Sequence, residues 1–427
     1  MRILLSAYAF SPFQGGEPAV GWNVATRLAE RGHEVTVLFG DLGSPELYKL
    51  DLDRFLSNAP LPANLRAVHV ATDPLTRKIH DWHALPGLWF LYYQAYRRWQ
   101  QNALNEAKRL HQEQPFDLVH HLTIIGYREP GYLWQLGIPF FWGPLTGAVL
   151  TPWRYLPGFS LTGIYRHASR NFLNLVQMRM HGRCLKAARI ARKIWTVTSE
   201  DRRMVEDVWG SAAENLIETG AAPCDGACVR QITSDEPLQL IWCGIVDAQK
   251  SLYLALHALA ERTLDLHFTL HVIGEGPEQS RCQALAVKLG IASQVRWHGK
   301  VEHSEVRRLM AGGHALIHTG IKEGTPHVVL EALTSGLPIL CHDACGMGVA
   351  VDDTSGLKVP LHDPQTSIDG FRAAIIRIAS EPGLLERLSK GALARAQALS
   401  WDRKIDTMIA AYESVLLQKE DISNLQS

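Results

Sequence analysis

The chain has 427 residues, 46% of them hydrophobic and 8% aromatic, with 43 Lys and Arg against 43 Asp and Glu. That length suggests two or three folded units, and the composition excludes a disordered, collagenous or coiled-coil chain. Zero formal charge also argues against a nucleic-acid binder, which needs uncompensated basic surface to displace counterions from phosphates.

Ile3-Leu4-Leu5 and the run from Val35 to Phe39 read as buried strands, and between them Val20, Val24 and Leu28 recur on one helical face, a βαβ unit. Further strands are expected at Leu118-Val119-His120-His121, Pro139-Phe140-Phe141-Trp142 and Ile194-Trp195-Thr196-Val197. Residues 219–237 lose the pattern and fill with Gly, Pro, Ser and Asp, as a linker does. A second series then begins at Leu240-Ile241-Trp242-Cys243 and continues through strands ending near Ile273, Trp297, His318 and Cys341. The expectation is two doubly wound α/β domains, 1–218 and 238–400, with ligands at the carboxyl ends of the strands and a last helix, 401–427, crossing back to the first domain. The seven cysteines contain no C-x-x-C pair, and the spacings Cys224 to Cys228 and Cys341 to Cys345 fit neither a zinc ribbon nor a disulfide framework. With no apolar window of about 18 residues, a cytoplasmic protein, peripheral to a membrane at most, is expected.

The segment from Lys322 to Leu333 is the most informative. Thr325 suits an N-cap and Pro326 the first helical position, so the amides near His327, Val328 and Val329 would form an anion site at a helix start. Glu323 and Glu331 stand on either side of it. A nucleotide diphosphate fits that layout, with Glu323 accepting from sugar hydroxyls and Glu331 from a ribose. Glu331 is set among Val328, Val329, Leu330, Ala332 and Leu333, and a carboxylate so placed needs a partner.

These residues resemble retaining glycosyltransferases of family 4, the glycosyl transferases group 1, which have the GT-B architecture of two facing Rossmann-like domains. The likeness runs through Val272 to Pro277, Val295 to Val301, Glu323 to Glu331, Ser335 to Ile339 and Ser355 to Val359, and in the first domain through Gly15 to Asn23 and Trp142 to Gly147. It implies a nucleotide-sugar donor, an acceptor hydroxyl, retention of anomeric configuration, and no cofactor or metal. Lys250 is placed on the diphosphate, and Glu323 with Gly324, Thr325, Pro326, His327 and Val328 on the donor sugar and phosphates. Gly15, Gly16, Gly244, Gly274, Gly276, Gly299, Val301 and Glu331 are placed on the nucleotide. His120 or His121, alternating across a strand, would contact the transferred sugar, and Tyr127, Thr146 and Arg154 are acceptor-side candidates. The family's arginine five residues before the lysine is replaced by Ile245. That departure motivates a second reading, a catalytically degenerate homologue acting as a partner or regulatory subunit. A nicotinamide oxidoreductase is a third, and the turn from Ser11 to Gly16 lacks its Gly-x-Gly-x-x-Gly.

Between Thr151 and Ser199 there are nine basic residues and no acidic one. With the aromatic run Trp82, Trp89, Phe90, Tyr92, Tyr93, Tyr96 and Trp99, this suggests a face for an anionic membrane surface or a lipid-linked acceptor, or else a buried aromatic helix beside a solvated basic one.

Overall fold

The computed structural model describes residues 1–223, 228–232, 236–260 and 266–425; of the expected linker, 224–227 (with Cys224) and 233–235 lie outside the described residues, as do 426–427. The first sheet contains β1 (Arg2–Ala7), β2 (Glu34–Phe39), β3 (Leu65–His69), β4 (Leu118–Thr123), β5 (Phe140–Leu145), β6 (Lys193–Thr196) and β7 (Glu214–Asn215), in the order β3-β2-β1-β4-β5-β6-β7. A second sheet holds β8 (Leu238–Cys243), β9 (Phe268–Ile273), β10 (Val295–Gly299), β11 (Ala315–His318), β12 (Ile339–His342) and β13 (Gly356–Val359), in the order β10-β9-β8-β11-β12-β13. Every pairing is parallel. Helices cover both faces, so central strands such as β4 and β5 are buried at every residue and read as unbroken apolar runs. The chain order reverses between β1 and β4 and again between β8 and β11, which opens a crevice at the carboxyl end of each sheet.

The first helix, Glu17–Glu30, starts from Gly16 at φ 68° and buries Val20, Val24 and Leu28, as their spacing predicts. Gly21 lets it approach the strand end, since a Cβ there would lie 2.3 Å from Ala9 O. The aromatic run divides. Tyr96 and Trp99, on the helix Leu91–Glu113, are core residues stacked on one another, with Trp99 Nε1 donating to Val70 O at 2.8 Å, whereas Trp82, Trp89 and Phe90 are exposed.

The last helix, Trp401–Leu425, leaves the second domain and packs on the first. Its Ile405, Met408 and Tyr412 are fully buried in one cluster with Leu5, Val24, Phe141 and Trp195. Ala221 N donates to Leu399 O at 2.9 Å, so the two segments that cross between domains run side by side. Lys404 Nζ fastens them by donating to Ile217 O at 2.8 Å and to Glu218 O.

Candidate functional site

The loops after β8 and β11 meet at the switch point of the second sheet. Lys250 Nζ donates to Glu323 Oε2 at 2.6 Å, and His318 Nε2, at the end of β11, lies 3.5 Å from Glu323 Oε1. A relay fixes the lysine: Trp242 Nε1 donates to Thr319 Oγ1 at 2.9 Å, Thr319 Oγ1 donates to Lys250 O at 2.7 Å, and Lys250 N donates to Asp247 Oδ1 at 2.8 Å. Burial pushes the Glu323 carboxyl up, but the fields and hydrogen bonds of His318 and Lys250 outweigh it and hold the group at about 2. Glu323 is therefore a fixed, ionised acceptor.

The neighbouring helix, His327–Thr334, begins later than its sequence suggests. Pro326 is extended, with ψ 126°, and occupies the cap position, and the Thr325 side chain makes no cap bond. Instead Thr325 N donates to Glu218 Oε1 at 2.9 Å, so a carboxylate from the crossing segment holds the amide just before the helix. Val329 N bonds Pro326 O at 3.0 Å and is also taken, which leaves the His327 and Val328 amides, with no carbonyl one turn back inside the helix, to face an anion. Glu218 Oε2, Thr325 Oγ1 and His318 Nδ1 are buried without a hydrogen-bond partner among the described residues. Such a concentration of unsatisfied polar atoms is costly in a core and ordinary in a ligand site.

Glu331, one side chain further along, lines a small cavity of about 170 Å³ with Gly220, His303, Arg307, His327 and Thr334. Burial raises its carboxyl, and His303, His327 and Arg307 oppose that rise. Gly274 and Gly276 have a packing reason: a Cβ on Gly274 would lie 2.0 Å from Gly244 O, and one on Gly276 2.4 Å from Val246 O, whereas one on Gly244 would only touch the Lys250 side chain at 3.4 Å. The loops after β8 and β9 can touch only through glycine. Gly274 N also bonds Gly299 O at 2.8 Å, ahead of Val301 on the next loop. Ile245 is 61% exposed on the loop that carries Lys250.

In the first domain Gly15 and Gly16 form an open turn with nothing within 4 Å of a Cβ built on either. Glu17 follows, its Oε1 accepting from Ile125 N at 3.2 Å. Burial, then the nearby charge of Glu218, pushes its carboxyl up to about 7, against the pull of the Ile125 hydrogen bond. Sequence reasoning passed over Glu17, Glu218 and His318. The first lay inside the Gly-Gly-Glu turn already singled out and the last at the end of a recognised strand, whereas nothing local marks Glu218, which becomes a site residue only when the domains face each other.

Three first-domain expectations are corrected. His120 is fully buried, bonding Tyr412 OH at 2.6 Å and Gly143 O at 2.7 Å, and His121 is 1% exposed with Nδ1 3.2 Å from Ser6 Oγ. The two rings do point to opposite faces of β4, but both faces are core. Tyr127 is likewise buried, donating to Asn174 Oδ1 at 2.6 Å. Arg154 reaches across to His362 Nε2 at 2.6 Å and Asp363 Oδ2 at 3.5 Å, an interdomain contact instead of an acceptor contact. Thr146 is half-buried and paired through its backbone with Ile125 and Tyr127.

Beside this crevice a cavity of about 530 Å³ opens between the domains, lined by Leu150, Met178, Arg179, Arg203, Ile321 and Cys345 among others. Two loop-borne groups from one domain thus confront a glycine turn and carboxylates from the other, across a cleft. Residues 230–395 match the family of glycosyl transferases group 1. A D-inositol 3-phosphate glycosyltransferase of Streptomyces bingchenggensis is 29% identical over 196 residues, 42% of this chain and 42% of that relative's length. The chain therefore spans well under half of that curated relative. Over nearly the whole chain the fold is that of a lipopolysaccharide outer core galactosyltransferase, with a TM-score of 0.61 at 16% identity, covering 97% of this chain and 99% of the other. An Anabaena protein solved in complex with UDP has a TM-score of 0.59 at 14% identity, covering 97% and 100%. These two likenesses are of fold. Glycosyl transferases group 1 and the GT-B arrangement of two Rossmann-like domains are accordingly what this chain resembles in sequence and in architecture.

Proposed function

We propose that the protein transfers a sugar from a nucleotide-sugar donor to an acceptor hydroxyl with retention of anomeric configuration, in the synthesis of a polysaccharide, glycolipid or other glycoconjugate. The observation that carries this reading is the Lys250–Glu323 pair, 2.6 Å apart, in front of the start of helix His327–Thr334 at the mouth of the interdomain cleft. Glu323 accepts from hydroxyls of the donor sugar, while Lys250 and the helix amides take the charge that grows on the diphosphate as its bond to the anomeric carbon breaks. The acceptor oxygen bonds to that carbon from the same face, and its proton passes to the departing phosphate oxygen. Glu331, in its small cavity, takes the ribose. Charge neutralisation falls to Lys250 and the amides, with no metal assigned. The acceptor, a sugar, a lipid-linked sugar or another hydroxyl compound, enters from the first domain, in the cytoplasm or at the inner face of a membrane.

The test is thermal shift and calorimetry with UDP, GDP, ADP, CMP and their sugar conjugates, followed by transfer assays. One nucleotide should bind selectively and lose its affinity in Glu331→Ala. Glu323→Gln should keep the fold and the nucleotide but lose transfer by roughly 100-fold or more. Full activity in Glu323→Gln would remove that residue from the site. Binding without transfer by the native protein would favour a degenerate partner subunit, the reading that the exposed Ile245 supports.

A further inference from the structure

The helix Leu161–Met180 is built with its polar side inward. The residues it buries are His167, Asn171, Asn174 and Met178, and the three polar ones are satisfied there. His167 Nδ1 lies 3.0 Å from Thr151 Oγ1, Asn171 pairs with the Thr151 backbone at 2.9 and 2.7 Å, and Asn174 Nδ2 donates to Gly147 O at 3.0 Å. The face turned to solvent carries Leu161, Tyr165, Phe172 and Met180, which are 85%, 78%, 64% and 76% exposed. Positions 161, 165, 172 and 180 fall within an arc of about 100° on a helix of 3.6 residues per turn. Arg166 and Arg170, both exposed, border that stripe on one side, and the sequence supplies no acidic residue between 151 and 199. A helix whose only role was to cover the sheet would bury Leu and Phe and expose Asn. This one does the reverse.

We infer that helix Leu161–Met180 lies in the surface of an anionic lipid bilayer, with its apolar stripe among the acyl chains and its arginines at the headgroups. The charge pattern selects this occupant: an apolar stripe edged by cations alone matches a surface of negative charge over hydrocarbon. Among the described residues no helix is long and apolar enough to cross a membrane, so the contact is peripheral. The placement also has a use. On its inner side the helix bonds Thr151, whose hydroxyl receives Lys322 Nζ of the second domain at 3.4 Å, and its Met178 and Arg179 line the interdomain cavity of about 530 Å³. A membrane-bound acceptor would therefore meet the cleft beside the point of attachment. The inference deepens the peripheral position proposed above and is independent of the sugar chemistry.

The experiment is co-sedimentation of the full chain with vesicles of phosphatidylcholine alone and of phosphatidylcholine and phosphatidylglycerol in equal parts. The protein should pellet with the anionic vesicles only, and less so as salt rises. Tyr165→Glu with Phe172→Glu, and separately Arg166→Glu, should each cut that partition by roughly tenfold or more, with unchanged melting temperature and unchanged thermal shift by nucleotide. Equal binding to both vesicle types, or undiminished binding by the variants, would overturn the inference. So would a dimer that Phe172→Glu dissolves without any vesicle binding, which would assign the stripe to a second copy. Loss of nucleotide binding with intact vesicle binding would instead strike at the sugar-transfer reading alone.

Discussion

At Glu323 desolvation and charge pull in opposite directions, and the close ammonium of Lys250 with the ring of His318 decides the outcome. The same crowding makes Gly320 a control point: a Cβ there would fall 2.3 Å from Glu323 Oε1 and 2.7 Å from His318 Cε1. Because a carboxylate at the end of a flexible chain can swing away, Gly320→Ala should cost little stability but displace Glu323. Transfer should drop roughly 100-fold with a melting temperature near that of the native protein, and retained activity would show that the pair tolerates displacement. Ile245 offers the opposite change. It is 61% exposed on the Lys250 loop, so an arginine fits without a clash. Ile245→Arg should tighten nucleoside diphosphate binding by about tenfold through a charge-assisted contact, as calorimetry would show, and an unchanged affinity would place position 245 away from the diphosphate.

Among the elements, central strands were legible because burial on both faces leaves them only apolar residues, and the first helix because Val20, Val24 and Leu28 repeat at its period. The edge strands β3 and β7 were not. The first is only partly buried and the second is two residues long, so neither has a periodicity that stands out. Helix Leu161–Met180 read as a basic stretch, yet its inside-out orientation depends on which face finds the carbonyls of Gly147 and Thr151, which lie outside it. The first helix permits a sharper test. Since a Cβ on Gly21 would sit 2.3 Å from a backbone oxygen that cannot move aside, Gly21→Ala should destabilise the protein by roughly 1–3 kcal/mol. Urea denaturation measures this, and a neutral result would mean that the helix can slide on the sheet.

For the molecule as a whole, the closing helix explains how one of two buried histidines on β4, His120, is covered. Tyr412 of that helix bonds His120 at 2.6 Å beneath a cluster that joins both ends of the chain. Burial lowers His120 to about 3, and His121 and His342 to about 4. Below the ordinary histidine range the unfolded chain takes up protons that the folded one refuses, so this contribution is complete above about 6.5 and is lost as pH falls towards 4, by up to about 1.4 kcal/mol per unit per group. Glu17 and Asp201, raised by burial to about 7 and about 6, act in the opposite sense over much of that window. The urea midpoint should still fall from pH 7 to 5, and His120→Asn should fall less steeply; equal slopes would show that His120 titrates normally.

The βα order was readable from apolar period, a local property of the chain, and Glu323 and Glu331 stood out by the expected helix start between them, whereas Lys250 was singled out only by the resemblance to a family. Tertiary structure alone decided that His120, His121 and Tyr127 are core, that Glu218 holds the amide just before helix His327–Thr334, and that the stripe from Leu161 to Met180 faces outward. Each of those depends on what lies opposite the residue, supplied by segments far away in sequence, and burial is a property of the pair.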